Sequence, residues 1–334
     1  MTRATRDRAV LVEAAARLHF GVLDLRGALG RRFGGIGASA PLPTLLVSTE
    51  LTDGGTVDAV GEDATRALDA ARTFLRHHGI ARGAHVRVHR ALPMHAGLGS
   101  GTQLALAVAR GLAELHGLDT AAPALARALG RGRHSAIGTM LFDAGGLVLE
   151  GGRRVDRDDP APFLARLAIP TEWRCVVALP SVPRAGGTIE ELPADLPPAR
   201  EVERVAHLVL MSLLPALAEG DLATFGGTLT EIQQLTGRWL AAAPHGATAA
   251  DASNDLVPAM LDWGAAGAGQ SARGPTVFGV VGGAEAGAAL AARVRDAIGP
   301  DGMVWEGPFR NVGAREWSAP AAAPVAATAV AATG

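Results

Sequence analysis

The feature that most constrains this chain is the segment Pro93-Met-His-Ala-Gly-Leu-Gly-Ser-Gly-Thr102. Before it, Ala84–Arg90 alternates Val86 and Val88 with Arg87 and His89, the pattern of a half-buried strand. After it, Thr102–His116 is an apolar run of helical length closed by Gly117. A strand, a sharp glycine corner and a helix are therefore expected in direct succession. Glycines at 97, 99 and 101 let the backbone turn tightly and bring its N–H groups against a ligand. The helix that follows points its free N–H groups and the positive end of its dipole at the same spot. Phosphate oxygens suit that spot, and the hydroxyls of Ser100 and Thr102 stand ready to donate to them or to touch Mg²⁺.

Three further clusters combine glycine with polar side chains. The first joins Arg17, His19 and Asp24 to Gly30-Arg31-Arg32-Phe-Gly-Gly-Ile-Gly37. Arg31 and Arg32 suit an anion, and Asp24 suits Mg²⁺ or a developing cation. The second, Gly130-Arg-Gly-Arg-His-Ser-Ala-Ile-Gly138, offers Arg133 and Ser135 to a carboxylate or phosphate. The third, Gly267 to Thr276, carries Gln270, Ser271 and Thr276 into a strand. Four such loops without a metal-ligand spacing point to a phosphorylated substrate.

Composition sharpens this. The 31 basic residues are all arginine, because the 334-residue sequence contains no lysine. A pyridoxal phosphate Schiff base and a Walker A lysine are thereby excluded, so anions must be held by guanidinium forks, backbone N–H groups and metal. With 33 acidic residues the net charge is −2, which builds no field for nucleic acid or an anionic membrane. A single cysteine, Cys175, excludes a disulfide framework and fits a reducing compartment. No signal-like or membrane-spanning run is present, so a cytoplasmic protein is expected.

Along the chain, strands are expected at Val10–Ala16, Leu45–Leu51, Gly146–Glu150, Trp173–Leu179 and Val277–Val281. Helices are expected at Ala59–His78, Ala124–Leu129, Glu201–Ala218, Asp221–Leu235 and Ala284–Ile298, with a Pro- and Gly-rich loop from Ser181 to Arg200. Strands set among helices without a strict βαβ repeat favour an α+β fold in two lobes. The uncharged Ala/Pro-rich stretch 318–334 is expected to be a disordered tail.

The segment Pro93–Thr102 resembles the phosphate loop of the GHMP kinase superfamily, and the Gly267–Gly274 loop falls where that superfamily has a further glycine-rich motif. A more detailed resemblance is to one branch, the β-ribofuranosylaminobenzene 5′-phosphate synthases. It is carried by RLHFGVLDLRGALGRRFGGIG (17–37), GLGSGTQLALAV (97–108), GRGRHSAIG (130–138), GQSARGPTVFG (269–279) and the stretch Leu210–Gln233. That resemblance implies a GHMP kinase-like fold with an N-terminal lobe like domain 2 of ribosomal protein S5 over 1–168. A ferredoxin-like C-terminal lobe would cover 169–317. It implies condensation of 5-phosphoribosyl 1-pyrophosphate with 4-aminobenzoate or 4-hydroxybenzoate, loss of CO₂ and pyrophosphate, and a product on the route to tetrahydromethanopterin.

The implied site has Arg17, His19 and Asp24 as catalytic groups, with Asp24 and Ser100 at Mg²⁺. Arg31, Arg32 and the loop Gly97-Leu98-Gly99-Ser100-Gly101-Thr102 would take phosphate and pyrophosphate. Arg133, Ser135, Gln270, Ser271 and Thr276 would take substrate. No pyridoxal phosphate, nucleic acid or membrane is implied, and a homodimer is the expected assembly. Kinases of the superfamily often carry an acidic base after the second helix, where this chain has Ser135-Ala-Ile-Gly-Thr-Met140 and no acid until Asp143. An ATP-dependent kinase of a small alcohol and a non-catalytic phosphate- or nucleotide-binding protein stand as alternatives.

Overall fold

The computed structural model describes residues 8–132, 135–157, 159–180, 193, 195–241 and 251–320. It opens with a long antiparallel hairpin of β1 (Arg8–Asp24) and β2 (Arg31–Leu51). Val10, Val12, Ala14, Ala16 and Leu18 of β1 all turn inward, as the two-residue strand period requires. Then follow β3 (Val57–Gly61), α1 (Ala64–His77), β4 (Ala84–Arg90), α2 (Ser100–His116), α3 (Ala122–Ala128) and α4 (Ile137–Ala144). Next come β5 (Leu147–Glu150), β6 (Arg153–Arg154) and β7 (Phe163–Leu167). With β12 (Arg315–Pro320) from the far end of the chain, these strands form one mixed sheet in the order β12-β1-β2-β4-β3, with β5 and β6 paired to β2 and β7 to β5. Helix α2 is buried on almost every side, which explains its near-total lack of charge.

The second sheet, β11-β8-β10-β9, is antiparallel throughout. It uses β8 (Trp173–Leu179), β9 (Gly267–Gln270), β10 (Val277–Gly282) and β11 (Met303–Pro308). Around it lie α5 (Ala199–Leu208), a π turn (Val209–Leu213), α6 (Leu214–Glu219), α7 (Leu222–Ala241), α8 (Asp251–Asp262) and α9 (Ala284–Ile298). Leu256 and Met260 of α8 and Leu290 and Val294 of α9 share a core cluster with Val176, Ala178 and Val281. Among the described residues no helix is long and apolar enough to cross a membrane.

The two sheets part between Leu167 and Trp173. The end of the chain differs from expectation, because β12 (Arg315–Pro320) returns to the first sheet and pairs antiparallel with β1. Ser318–Pro320 thus belong to a strand, and the rest of the expected tail, 321–334, lies outside the described residues. The expected helix at Ala59 begins at Ala64, because Val57–Gly61 pairs in parallel with β4. That pairing is non-local and leaves no periodic trace. The expected helix 201–218 is broken by the π turn ahead of Pro215, whose ring nitrogen has no proton to give the helix ladder. Of the expected 181–200 loop, 181–192 and 194 lie outside the described residues, and Ala199–Arg200 already belong to α5.

Candidate active site

The glycine corner is built as the sequence suggests. Gly97 (φ 80°) and Gly99 (φ 73°) take the left-handed conformation, and His95 is forced into it as well (φ 58°). No side chain caps α2. The N–H groups of Thr102 and Gln103 donate to the Gly99 carbonyl, which leaves those of Ser100 and Gly101 for an incoming anion. The loop after β9 locks into this corner backbone against backbone. A Cβ on Gly97 would overlap the Ser271 carbonyl, and one on Gly274 would overlap the peptide between Ala96 and Gly97. The Ser271 hydroxyl donates to the Gly97 carbonyl at 2.7 Å and accepts from the His19 N–H at 3.0 Å. Ala272 in the same loop also has positive φ, 56°. Strain in both interlocked loops is typical of a ligand-binding site.

Three guanidinium groups surround the α2 N-terminus. Arg17 donates to the Gly97 carbonyl at 3.1 Å, and its own N–H donates to the Leu98 carbonyl at 2.9 Å. Arg66 of α1 lies against Gly101, where any Cβ would strike it, and an Arg131 nitrogen lies 3.8 Å from the same point. Burial holds the Arg17 pKa down to about 10. Arg131 is lowered too, by burial and by the Arg66 charge beside it. One carboxylate answers them in part, since Arg66 pairs with Asp63 at 2.9 Å. The excess positive charge is what an anionic ligand relieves.

Behind this cradle sits Glu150, at the end of β5 and wholly buried. Its Oε2 accepts the Ala136 N–H at 2.5 Å and its carboxylate also takes the Ser135 hydroxyl, whereas Oε1 has no partner. Burial pushes its pKa up to about 7, against the pull of these hydrogen bonds and of Arg17. Arg17 Nε, His19 Nδ1, Gln103 Oε1, Thr139 Oγ1 and Thr276 Oγ1 are likewise buried without a partner. Arg8, Arg32, Arg110 and His116 carry other such nitrogens, and the orphaned atoms near Glu150 and Arg17 are polar groups that a ligand could satisfy. His19 is neutral there, its pKa driven down to about 3 by burial and the Arg17 charge.

Other expected residues stand elsewhere or are already engaged. Asp24 lies seven residues along β1 from Arg17, about 20 Å of strand. Its Oδ1 accepts the N–H groups of Arg26 and Gly27 and so fixes the hairpin turn. Arg31 and Arg32 share that end, donating to the carbonyls of Gly152 and Arg26. They open β2 rather than forming a glycine turn. Asp24 and Ser100 therefore cannot share one metal ion. Gln270 spends its side-chain amide on the Gly274 carbonyl, and Ser271 is the clamp already described. Ser135 receives the Ile137 N–H at 3.3 Å. Arg133 lies outside the described residues. Arg66, Arg131 and Glu150 were not singled out from sequence. Only Glu150 leaves a local signal, as the one acid in the apolar run Leu147–Glu150.

Comparison with known proteins places this geometry. Residues 65–144 match the family model described as the GHMP kinases N terminal domain. The chain is 33% identical over 329 residues to the β-ribofuranosylphenol 5′-phosphate synthase of Methanothermobacter thermautotrophicus, covering 91% of this chain and 98% of that protein. The chain belongs to this synthase family. The Archaeoglobus fulgidus synthase is also 33% identical, over 279 residues that span 85% of it. Solved structures of the same fold include a Cytophaga hutchinsonii homoserine kinase (TM-score 0.66, 18% identity, 92% of this chain and 97% of that one). A Streptococcus pyogenes mevalonate pyrophosphate decarboxylase follows at TM-score 0.62 and 14% identity, covering 92% of this chain and 98% of that one.

As a member of the synthase family, the protein has a donor set that bears on Mg²⁺. Among the described residues no three His, Cys, Asp or Glu side chains gather as metal ligands. Ser100 is the one expected metal-binding residue at the cradle. That donor set would leave most of an Mg²⁺ coordination shell to a bound anion and water.

Proposed function

We propose that the protein transfers a 5-phosphoribosyl group from 5-phosphoribosyl 1-pyrophosphate to a 4-substituted benzoate, releasing pyrophosphate and CO₂. The observation that carries this reading is the convergence of Arg17, Arg66 and Arg131 on the uncapped N-terminus of α2. Such a cradle stabilises the charge that builds on a departing pyrophosphate. The C1–oxygen bond breaks with its electron pair going to pyrophosphate. The ring carbon that bears the carboxylate supplies the pair for the new carbon–carbon bond, pushed by the para substituent. The bond to the carboxylate then breaks, its pair restores the aromatic ring, and CO₂ leaves. The ring is its own electron sink, in keeping with a chain that has no lysine for pyridoxal phosphate. Mg²⁺ on the pyrophosphate would add Lewis-acid stabilisation of the leaving group.

The relatives' names contain a ribofuranosylphenol, the product that 4-hydroxybenzoate gives by this route, so the hydroxy acid is the proposed acceptor. The product would lie on the route to tetrahydromethanopterin. Incubation with Mg²⁺, the phosphoribosyl donor and each benzoate tests the proposal: pyrophosphate and CO₂ are expected in equal amounts.

A kinase reading draws on the GHMP kinases domain match and on one further relative. The chain is 33% identical over 236 residues to a Symbiobacterium thermophilum 4-diphosphocytidyl-2-C-methyl-D-erythritol kinase, covering 73% of it. That reading requires ADP from ATP and an alcohol, and no CO₂.

A further inference from the structure

A cavity of about 570 Å³ lies between α3, α4 and the segment 159–163. Its walls are chiefly apolar, with Ala126, Ala136, Met140, Ala144 and Phe163 among them; its charged lining is Arg127, Arg131, exposed Asp159 and Asp143, which pairs with Arg110 at 3.0 Å. Two observations tie it to the cradle. Arg131 lines the cavity and is also the guanidinium beside Gly101, so one cation serves the mouth of the cavity and the helix N-terminus. Ala136 and Phe163 are the immediate partners of Glu150, one through its N–H and the other across the β5–β7 ladder, so the inner wall backs onto the buried carboxyl.

A second cavity, of about 430 Å³, is lined differently. Thr230, Gln233, Gln234, Thr236 and His19 give it a hydrogen-bonding wall; Arg238 also lines it but faces Glu201 at 3.7 Å, and Arg66 and Arg131 are absent from it.

We propose that the cavity between α3 and α4 is the binding site of the aromatic acid, with Arg131 holding its carboxylate at the mouth. The inference rests on the transferase reading for the identity of the ligand. A flat apolar ring with one carboxylate matches an apolar chamber with a guanidinium at one end. Seated so, the carbon that bears the carboxylate faces the cradle, where the anomeric carbon of the donor is held by its pyrophosphate. The para substituent points along α4, away from the donor. The volume leaves space for the ribose to follow as the new bond forms.

The test is equilibrium dialysis of 4-hydroxybenzoate against the full-length protein with Mg²⁺ and pyrophosphate present. Met140→Trp/Ala144→Trp fills this cavity, and Gly237→Trp fills the other from a helical position with open space around it. The first is expected to raise the dissociation constant at least tenfold and the second to leave it within twofold. Phe163→Ser, at a half-exposed position, is expected to weaken binding severalfold even if the double variant does not fold. The proposal is overturned if wild type binds no hydroxybenzoate, if Gly237→Trp alone abolishes binding, or if neither the double variant nor Phe163→Ser changes it. Turnover measured in parallel separates the two ideas. Catalysis that ignores the cavity variants removes this assignment and leaves the transferase. Cavity-dependent binding without turnover removes the transferase and leaves the site.

Discussion

Replacing Glu150 with glutamine isolates the buried carboxyl behind the cradle. The folded protein holds this group at a pKa of about 7, against an ordinary 4.5, mainly because burial disfavours the charge. Below pH 4.5 both folded and unfolded chains carry the proton and the group takes nothing from stability. As pH rises towards 7, the unfolded chain releases its proton while the folded chain keeps it, so stability falls by up to about 1.4 kcal/mol per pH unit. Above 7 the loss levels off at about 3 kcal/mol. Glutamine is uncharged at every pH and can still accept the Ala136 N–H, so the loss disappears in Glu150→Gln. Urea unfolding of both proteins at intervals from pH 4.5 to 8 reads the difference directly. The attraction between ionised Glu150 and Arg17 is already contained in that pKa, so the difference should move by about 2–3 kcal/mol in favour of the variant as pH rises. A difference constant within about 0.5 kcal/mol across that range would refute the assignment of the raised pKa to Glu150.

Four other outcomes follow from the geometry. Arg66→Ala removes a charge-assisted partner at the α2 N-terminus and should weaken pyrophosphate binding by about 1.5–3 kcal/mol, read by titration calorimetry; unchanged affinity contradicts the cradle. Gly97→Ala puts a Cβ against the Ser271 carbonyl at positive φ and should cost at least about 2 kcal/mol in urea unfolding. Gly227→Ala, inside α7 with nothing around its Cβ, should instead gain about 0.5–1 kcal/mol. Asp24→Ala opens the β1–β2 turn and should leave pyrophosphate affinity within twofold, whereas a large loss would bring Asp24 back into the cradle.

The parts of this site that were legible in sequence are local ones. The corner from Pro93 to Thr102 carries its own turn glycines, its strand before and its helix after, so its backbone is legible as a unit. The Gly267–Thr276 loop reads as a ligand loop, but Ser271 and Gln270 spend their polar atoms on Gly97 and Gly274. Such consumption depends on contacts far apart in the chain. Arg66 and Arg131 escaped for the same reason, since α1 and the α3–α4 connection reach Gly101 only once the sheet has folded. Asp24, Arg31 and Arg32 looked like neighbours of Arg17 because they are close in sequence. An extended strand carries seven residues about 20 Å away, and only its pairing partner shows where it ends up. Glu150 was hidden by position, at the end of a strand whose other residues are core.

Turnover of 4-hydroxybenzoate labelled with ¹⁴C in the carboxyl group, with Mg²⁺ and the phosphoribosyl donor, follows the carboxyl carbon and the leaving group together. One labelled CO₂ is expected for each pyrophosphate released, with loss of both together in Arg66→Ala. Pyrophosphate without labelled CO₂, or ADP formed from ATP in its place, would contradict the proposed transfer.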